Sequence, residues 1–377
     1  MSTRVSTQIA FYLSVILFCF GVGLWGFFRL TQVDQNKSTD VYQWVPDDCI
    51  GVVESDNMDF FMNEFLHVEY NQQLDTLRNM GFIKTILTDL VSFNHNHSHG
   101  LKGNMNNLII SFHTKGDSRD VVAYFKVGKE TRRYFDELLG NKYGVGYIPR
   151  KENYRGMDIY IYPIENDNYI SVCCKNGVIA VSSQMRLIER VIDAKKDGSS
   201  LRKNANFNAM YQTKSENFLT LYGHTPSIPK VATEGEDYWS DYNVNMNSGA
   251  FYLSGSTYGD STNSESFIDK LKDIPTYRSD SVLVVCGQEK VDSTISTSII
   301  KPNPELFDKC ISGLSRDASA IMVLDMEKCV QNPEEYKAYM PPLMSEYPWL
   351  FRSFILSVQL SVVDDKAYHI FIFTYKS

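Results

Sequence analysis

Residues Ile9 to Leu30 read IAFYLSVILFCFGVGLWGFFRL, with Arg29 as their single charge. At about 1.5 Å rise per residue, roughly 20 such residues span the hydrocarbon of a bilayer. No water reaches the backbone there, so a lone span satisfies its N–H and C=O groups only as a helix. A cleaved signal peptide carries a shorter apolar region, about 7–15 residues, that ends at a small-x-small site. Here the only such string, Gly21-Val22-Gly23, lies inside the run, and Trp25, Phe27 and Phe28 crowd its end. The sequence therefore predicts a retained transmembrane helix, a signal anchor, with the lipid bilayer as its partner. Trp25 and Arg29 suit the headgroup belt at its exit. The tail before it is too short to be a domain, which places the large C-terminal part on the non-cytoplasmic side. Gly21, Gly23 and Gly26 spell G-x-G-x-x-G, but a dinucleotide fingerprint needs a strand before it, and these glycines lie within an apolar span.

Charge narrows the function classes. The chain carries −8, and removing Arg4 and Arg29 leaves −10 on the part beyond the anchor. Binding to phosphates needs a basic face, and no Lys/Arg cluster of that kind occurs, so nucleic acid is excluded as a partner. The same acidity argues against a peripheral dock on anionic lipid. Six cysteines lie outside the anchor: Cys49, Cys173, Cys174, Cys286, Cys310 and Cys329. Their loose spacing in apolar contexts reads as buried free thiols rather than a disulfide framework. Cys173 and Cys174 are adjacent and point to opposite faces of a strand, unlike a C-x-x-C redox pair.

The remaining pattern divides the chain into a tail and anchor (1–30), a polar stalk (31–44), and two lobes (45–205 and 206–377). Cys49 to Ser55 has the apolar density of a buried strand, with helical spacing after it from Met58 and over Leu74 to Leu90. Leu108 to Phe112 and Val121 to Val127 flank Lys115-Gly116-Asp117 as a hairpin, and Thr131 to Leu139 is helical. Tyr169 to Cys174 and Val178 to Ser182 flank Asn176-Gly177, the strongest short hairpin signal. Met185 to Lys196 follows as an amphipathic helix closed by Asp197-Gly198. Later strands are expected at Phe218 to Tyr222, Ala250 to Ser254, Val282 to Cys286, Ala318 to Leu324, Phe354 to Val362 and Tyr368 to Tyr375. Helices are expected over Pro304 to Gly313 and Glu334 to Tyr347, and an acidic loop over Val231 to Ser248. A faint repeat pairs the segment from Asp48 with that from Asp317, and Leu108 to Phe112 with Phe354 to Val358. These readings predict an α+β fold: antiparallel sheets with helices packed on one face, in two related lobes.

An apolar anchor, a stalk, Val45-Pro46-Asp47-Asp48-Cys49 opening a strand, and Leu108 to His113 as a second strand make a layout. An Asn-Gly hairpin then leads into a helix, and Gly198-Ser199-Ser200-Leu201 stands before Asn206-Phe207. This layout resembles an uncharacterised family of envelope-anchored bacterial proteins, a domain of unknown function. The resemblance spans most of residues 45–290 in layout and only short strings in residues. It implies an exported, tethered α+β protein and supplies no catalytic residues.

Two clusters carry candidate chemistry. His95, His97 and His99, with His113 nearby, place imidazoles at alternating positions, the donor type that binds Zn, Cu or Ni. Solvated loop histidines are the competing reading, since a stable site needs fixed geometry and outer partners. Glu234, Glu236 and Asp241 are interleaved with Tyr238 and Trp239, a pattern that binds sugars or, with carboxyls held about 5–10 Å apart, hydrolyses glycosides; a solvated acidic turn competes. No G-x-S-x-G, Walker A or H-E-x-x-H string is present, and no cofactor is implied. The expectation is a non-enzymatic, single-pass envelope protein with an interaction or assembly role. A glycan- or lipid-binding module and a hydrolase of envelope polymers are the alternatives.

Overall fold

A computed structural model of the protein describes residues 39–57, 107–114, 120–126, 143–144, 146–163, 169–214, 217–225, 237–246, 250–259, 277–278, 282–286, 310, 314–315, 318–331, 334, 351–363 and 366–376. The first seven strands are β1 (Gly51–Ser55), β2 (Leu108–Phe112), β3 (Val121–Lys126), β4 (Arg150–Tyr154), β5 (Met157–Pro163), β6 (Tyr169–Lys175) and β7 (Val178–Ser182). Eight more follow: β8 (Leu219–Gly223), β9 (Trp239–Met246), β10 (Ala250–Tyr258), β11 (Tyr277–Arg278), β12 (Val282–Cys286), β13 (Ala320–Asp325), β14 (Phe354–Val363) and β15 (Lys366–Tyr375). Three α-helices have described bounds: α1 (Met185–Asp197), α2 (Ala205–Gln212) and α3 (Met326–Gln331).

All fifteen strands join one sheet, in the order β11-β12-β13-β14-β15-β10-β9-β8-β1-β2-β3-β7-β6-β5-β4. Every neighbouring pair is antiparallel. This corrects the expected α+β fold with helices packed on one face of separate lobe sheets. The hairpins legible in the sequence fix local pairs alone. The step that fuses them is the long-range pair β1–β8, in which Glu54 faces Thr220. Counted outward from that seam, the pairing plan is the same on both sides: first strand, hairpin, last strand, then a meander returning outward. The segments that look alike in sequence do not follow this plan. β1 lies at the seam while its sequence counterpart β13 lies third from an edge.

The core changes face at the seam. Successive residues of a strand point to opposite faces. Val52 and Tyr222 face each other across β1–β8 and belong to one apolar cluster, with Ile109, Val122 and Tyr124. Their immediate neighbours Val53 and Leu221 pack on the other cluster, with Leu253, Phe371 and Phe373. Buried residues of α1 (Leu187, Ile188, Val191, Ile192) and α2 (Phe207, Met210) complete the first cluster, and Met326 and Cys329 of α3 join the second. Each buried aliphatic side chain of this kind contributes about 1.5–3 kcal/mol.

Local rules explain the best-defined elements. Asn176 and Gly177 have φ of 51° and 77°, the left-handed pair that a two-residue hairpin requires. Gly198 ends α1 at φ 73°. The end of the expected stalk is folded in: Val41–Gln43 form a 3-10 turn capped by Asp40, and Val41, Tyr42 and Trp44 are buried. Residues 231–248 are not all loop, since β9 occupies Trp239–Met246. The helices expected near Met58, at Leu74 to Leu90, Thr131 to Leu139 and most of Glu334 to Tyr347 lie outside the described residues. No helix among the described residues is long and apolar enough to cross a membrane. Among the described residues that finding corrects the expectation of a transmembrane helix and signal anchor; Ile9 to Leu30, the run that carried the expectation, lies outside them.

Candidate functional site

Glu54 stands in β1 at the seam and is 7% exposed. A carboxylate so placed is tolerated only if donors meet it. Tyr42 Oη and Tyr222 Oη each donate to its Oε2 at 3.0 Å, and Lys214 Nζ lies 3.0 Å from the same oxygen. Tyr211 Oη donates to Oε1 at 3.5 Å. The donors come from four places: the 3-10 turn, β8, α2 and the residue pair after α2. Phe207 holds them in position, with ring centroids 5.1 Å from Tyr42, 5.6 Å from Tyr222 and 5.7 Å from Tyr211. Burial first, and the Glu54 charge second, push the hydroxyls of Tyr42, Tyr222 and Tyr211 well above the usual tyrosine range. They therefore stay protonated donors. The cluster pins elements together and offers neither a nucleophile nor a free base.

A second polar node opens the sheet at Asp241 in β9. The β9–β10 ladder runs from Phe251↔Met246 to Ser254↔Asn243 and resumes at Thr257↔Ser240. In the gap, Asp241 Oδ1 accepts from Ser256 N and Ser256 Oγ, both at 2.8 Å. The Asp241 carbonyl accepts from His369 Nε2 at 2.9 Å. Gly255 makes the close approach available, because a Cβ there would lie 1.9 Å from that carbonyl oxygen. Burial raises the Asp241 carboxyl above its ordinary value, against the Ser256 bonds that lower it. Burial also lowers His369 to about 3, so its ring is neutral at pH 7. Its Nδ1 is buried without a hydrogen-bond partner.

The expected ligand residues fall apart on this frame. Trp239 is fully buried and Tyr238 is 5% exposed. Trp239 stacks on His224 at 4.6 Å, and His224 Nε2 meets Asp237 at 2.5 Å. Asp241 serves the ladder, while Glu234 and Glu236 lie outside the described residues. Of the expected metal set, His95, His97 and His99 lie outside the described residues. His113 is buried, with Nε2 2.8 Å from Ser111 Oγ, and burial lowers it to about 4. Among the described residues no group of three or more His, Cys, Asp or Glu is placed to hold a metal ion. Cys49, Cys173, Cys174, Cys310 and Cys329 form no disulfide, and burial pushes Cys49 and Cys173 up to about 12.

What sequence reasoning missed is an open strip of sheet. Tyr252 of β10 and Tyr368 and Ile370 of β15 are 36%, 44% and 36% exposed. All three are on the same face of the sheet, since Tyr252 pairs with Ile372, two residues from Ile370. Near α2 the face is bounded by Thr213 Oγ1, 2.7 Å from Tyr258 Oη. On the other side Cys310 Sγ reaches Thr374 Oγ1 at 3.9 Å and Ser315 N donates to Gln359 Oε1 at 2.8 Å. The signal was in the alternation of β15, where Phe371 and Phe373 take the buried beat and Tyr368 and Ile370 the other. No protein-family model, no curated protein and no solved structure matches the chain.

Proposed function

We propose that the protein is a non-enzymatic interaction or assembly protein that receives its partner on the open strip of β10 and β15. The observation that carries this reading is the exposure of Tyr252, Tyr368 and Ile370 on strands that are themselves central and fully paired. Large apolar side chains grouped on an ordered surface mark interaction sites. The ionisable clusters support the same reading, because Glu54 and Asp241 spend their oxygens on internal donors. A lipid bilayer as partner, and a non-cytoplasmic location, enter through the sequence of Ile9 to Leu30 alone; release of the full chain by alkaline carbonate would remove both. The strip itself is tested by placing a photo-crosslinking residue at Tyr252 or Tyr368 in the full-length chain in cells. Adducts are expected at these two positions and not at Tyr169, which is 55% exposed elsewhere on the sheet. Equal labelling at all three positions, or none, would overturn the reading.

A further inference from the structure

We infer that Lys214 and Asp56 condense into an intramolecular isopeptide bond, promoted by Glu54. To an outside substrate the Glu54 cluster offers neither a nucleophile nor a free base; this reaction runs between its own members. Lys214 Nζ lies 3.0 Å from Glu54 Oε2 and 3.2 Å from Asp56 Oδ2. Asn107 Nδ2 donates to the other oxygen of Asp56, Oδ1, at 3.0 Å. An amine, a base and an amide donor thus meet around one carboxyl group. Each part is held from behind. Glu54 is fixed by the hydroxyls of Tyr42 and Tyr222. Lys214 Nζ stands 5.7 Å from the centre of the Tyr211 ring. Asp56 N donates to Phe218 O at 3.2 Å, which sets the end of β1 beside the run into β8. Groups oriented in this way react with effective molarities of about 10⁵–10⁸ M, which offsets the preference of an amine and a carboxylate in water for the free ions. The side chains of Lys214 and Glu54 are 16% and 9% exposed, so little water competes.

A proton passes from the Lys214 ammonium to Asp56 Oδ2, leaving a neutral amine beside a carboxylic acid. The nitrogen lone pair attacks Asp56 Cγ, and the negative charge that develops on Oδ1 meets the Asn107 amide. Glu54 takes the next proton from the nitrogen and returns it to Oδ2, which leaves as water. One C–N bond forms, one C–O bond breaks, and nothing is oxidised or reduced. Asp56, 40% exposed, gives the water a way out. Lys376 also lies between two acids but lacks these parts. It meets Asp325 through Oδ1, the oxygen that also accepts from Glu327 N, and Glu327 is 52% exposed. The Lys214–Asp56 bond closes a loop across 158 residues. It ties the end of β1 to the segment between α2 and β8 and so locks the seam, whatever the strip of β10 and β15 receives.

The full-length protein is denatured, digested with trypsin and examined by mass spectrometry. Residues 38–78 and 204–230 are expected as one branched fragment, one water lighter than their sum, because trypsin no longer cuts after Lys214. K214R and D56A should yield the unlinked peptides, and Lys376 should stay unmodified in every sample. In a cell-free synthesis time course, E54Q and N107A should form the branch about a hundredfold more slowly. N107A leaves the buried carboxylate in place, so a folding failure of E54Q does not decide the matter. Unlinked peptides from the wild type, an equal linkage at Lys376, or wild-type rates in both E54Q and N107A would each overturn the inference.

Discussion

His113 and His369 are both buried, and burial lowers their protonation to about 4 and about 3 from an ordinary value of 6.5. His113 faces Ser111 on its own strand side and Asp48 at 3.8 Å, and Asp120 opposes the shift. His369 faces the Asp241 carbonyl and the rings of Tyr242 and Phe371. As pH falls below about 6.5 the unfolded chain takes up protons that the native imidazoles refuse, so stability falls with pH. Between pH 7 and 5 each histidine should remove about 2 kcal/mol. Asp241 works in the opposite sense, since its raised carboxyl favours the native state on protonation. Urea unfolding at pH 7 and 5 is expected to show the loss, and H113N/H369N to flatten it; a variant with the wild-type slope would exclude these groups as the cause. His113 was legible as a histidine near others in sequence. Its burial was not, because that depends on β2 lying inside the sheet rather than on any neighbour in the chain.

α2 shows an element that sequence pattern hid. ANFNAMYQ is half weak helix formers (Asn206, Phe207, Asn208 and Tyr211) and is too short to hold alone, and what holds it is tertiary: Phe207 meets Tyr42, Tyr222 and Trp239 from three separate segments. Its start is set by Asn204, whose Oδ1 accepts from Phe207 N at 2.8 Å while its Nδ2 donates to Asp237 at 2.7 Å. N204A is expected to cost about 1–2 kcal/mol, read as a lower denaturation midpoint with an unchanged slope. A change below a few tenths would mean that packing of Phe207 alone sets the helix. By contrast α1 was readable at both ends, because its apolar stripe and Gly198 act within one element. β9 was missed for the reverse reason. Its Asp, Asn and Ser residues have low strand preference, and their partners, Ser256 for Asp241 and Thr220 for Asn243, lie on other strands.

The described strands form one sheet because β1 accepts β8, and no local signal in residues 51–55 or 219–223 announces that pairing. The hairpins were legible, the strand order was not, and the face change of the core follows from the order. A fragment of residues 39–214 keeps β1 to β7, α1 and α2 but lacks the partner for one edge of β1. It is expected to self-associate through that edge, as mass by light scattering would show; a stable monomer with a native-like strand signal would contradict this. The same seam has a meaning in time. Ribosomes add about 5–20 residues per second, so the chain from Glu54 to its partner Thr220 takes about 10 to 30 s to emerge. Throughout that interval the nascent protein exposes a strand edge that its own later residues will claim, and a pause anywhere between residues 56 and 218 prolongs the exposure.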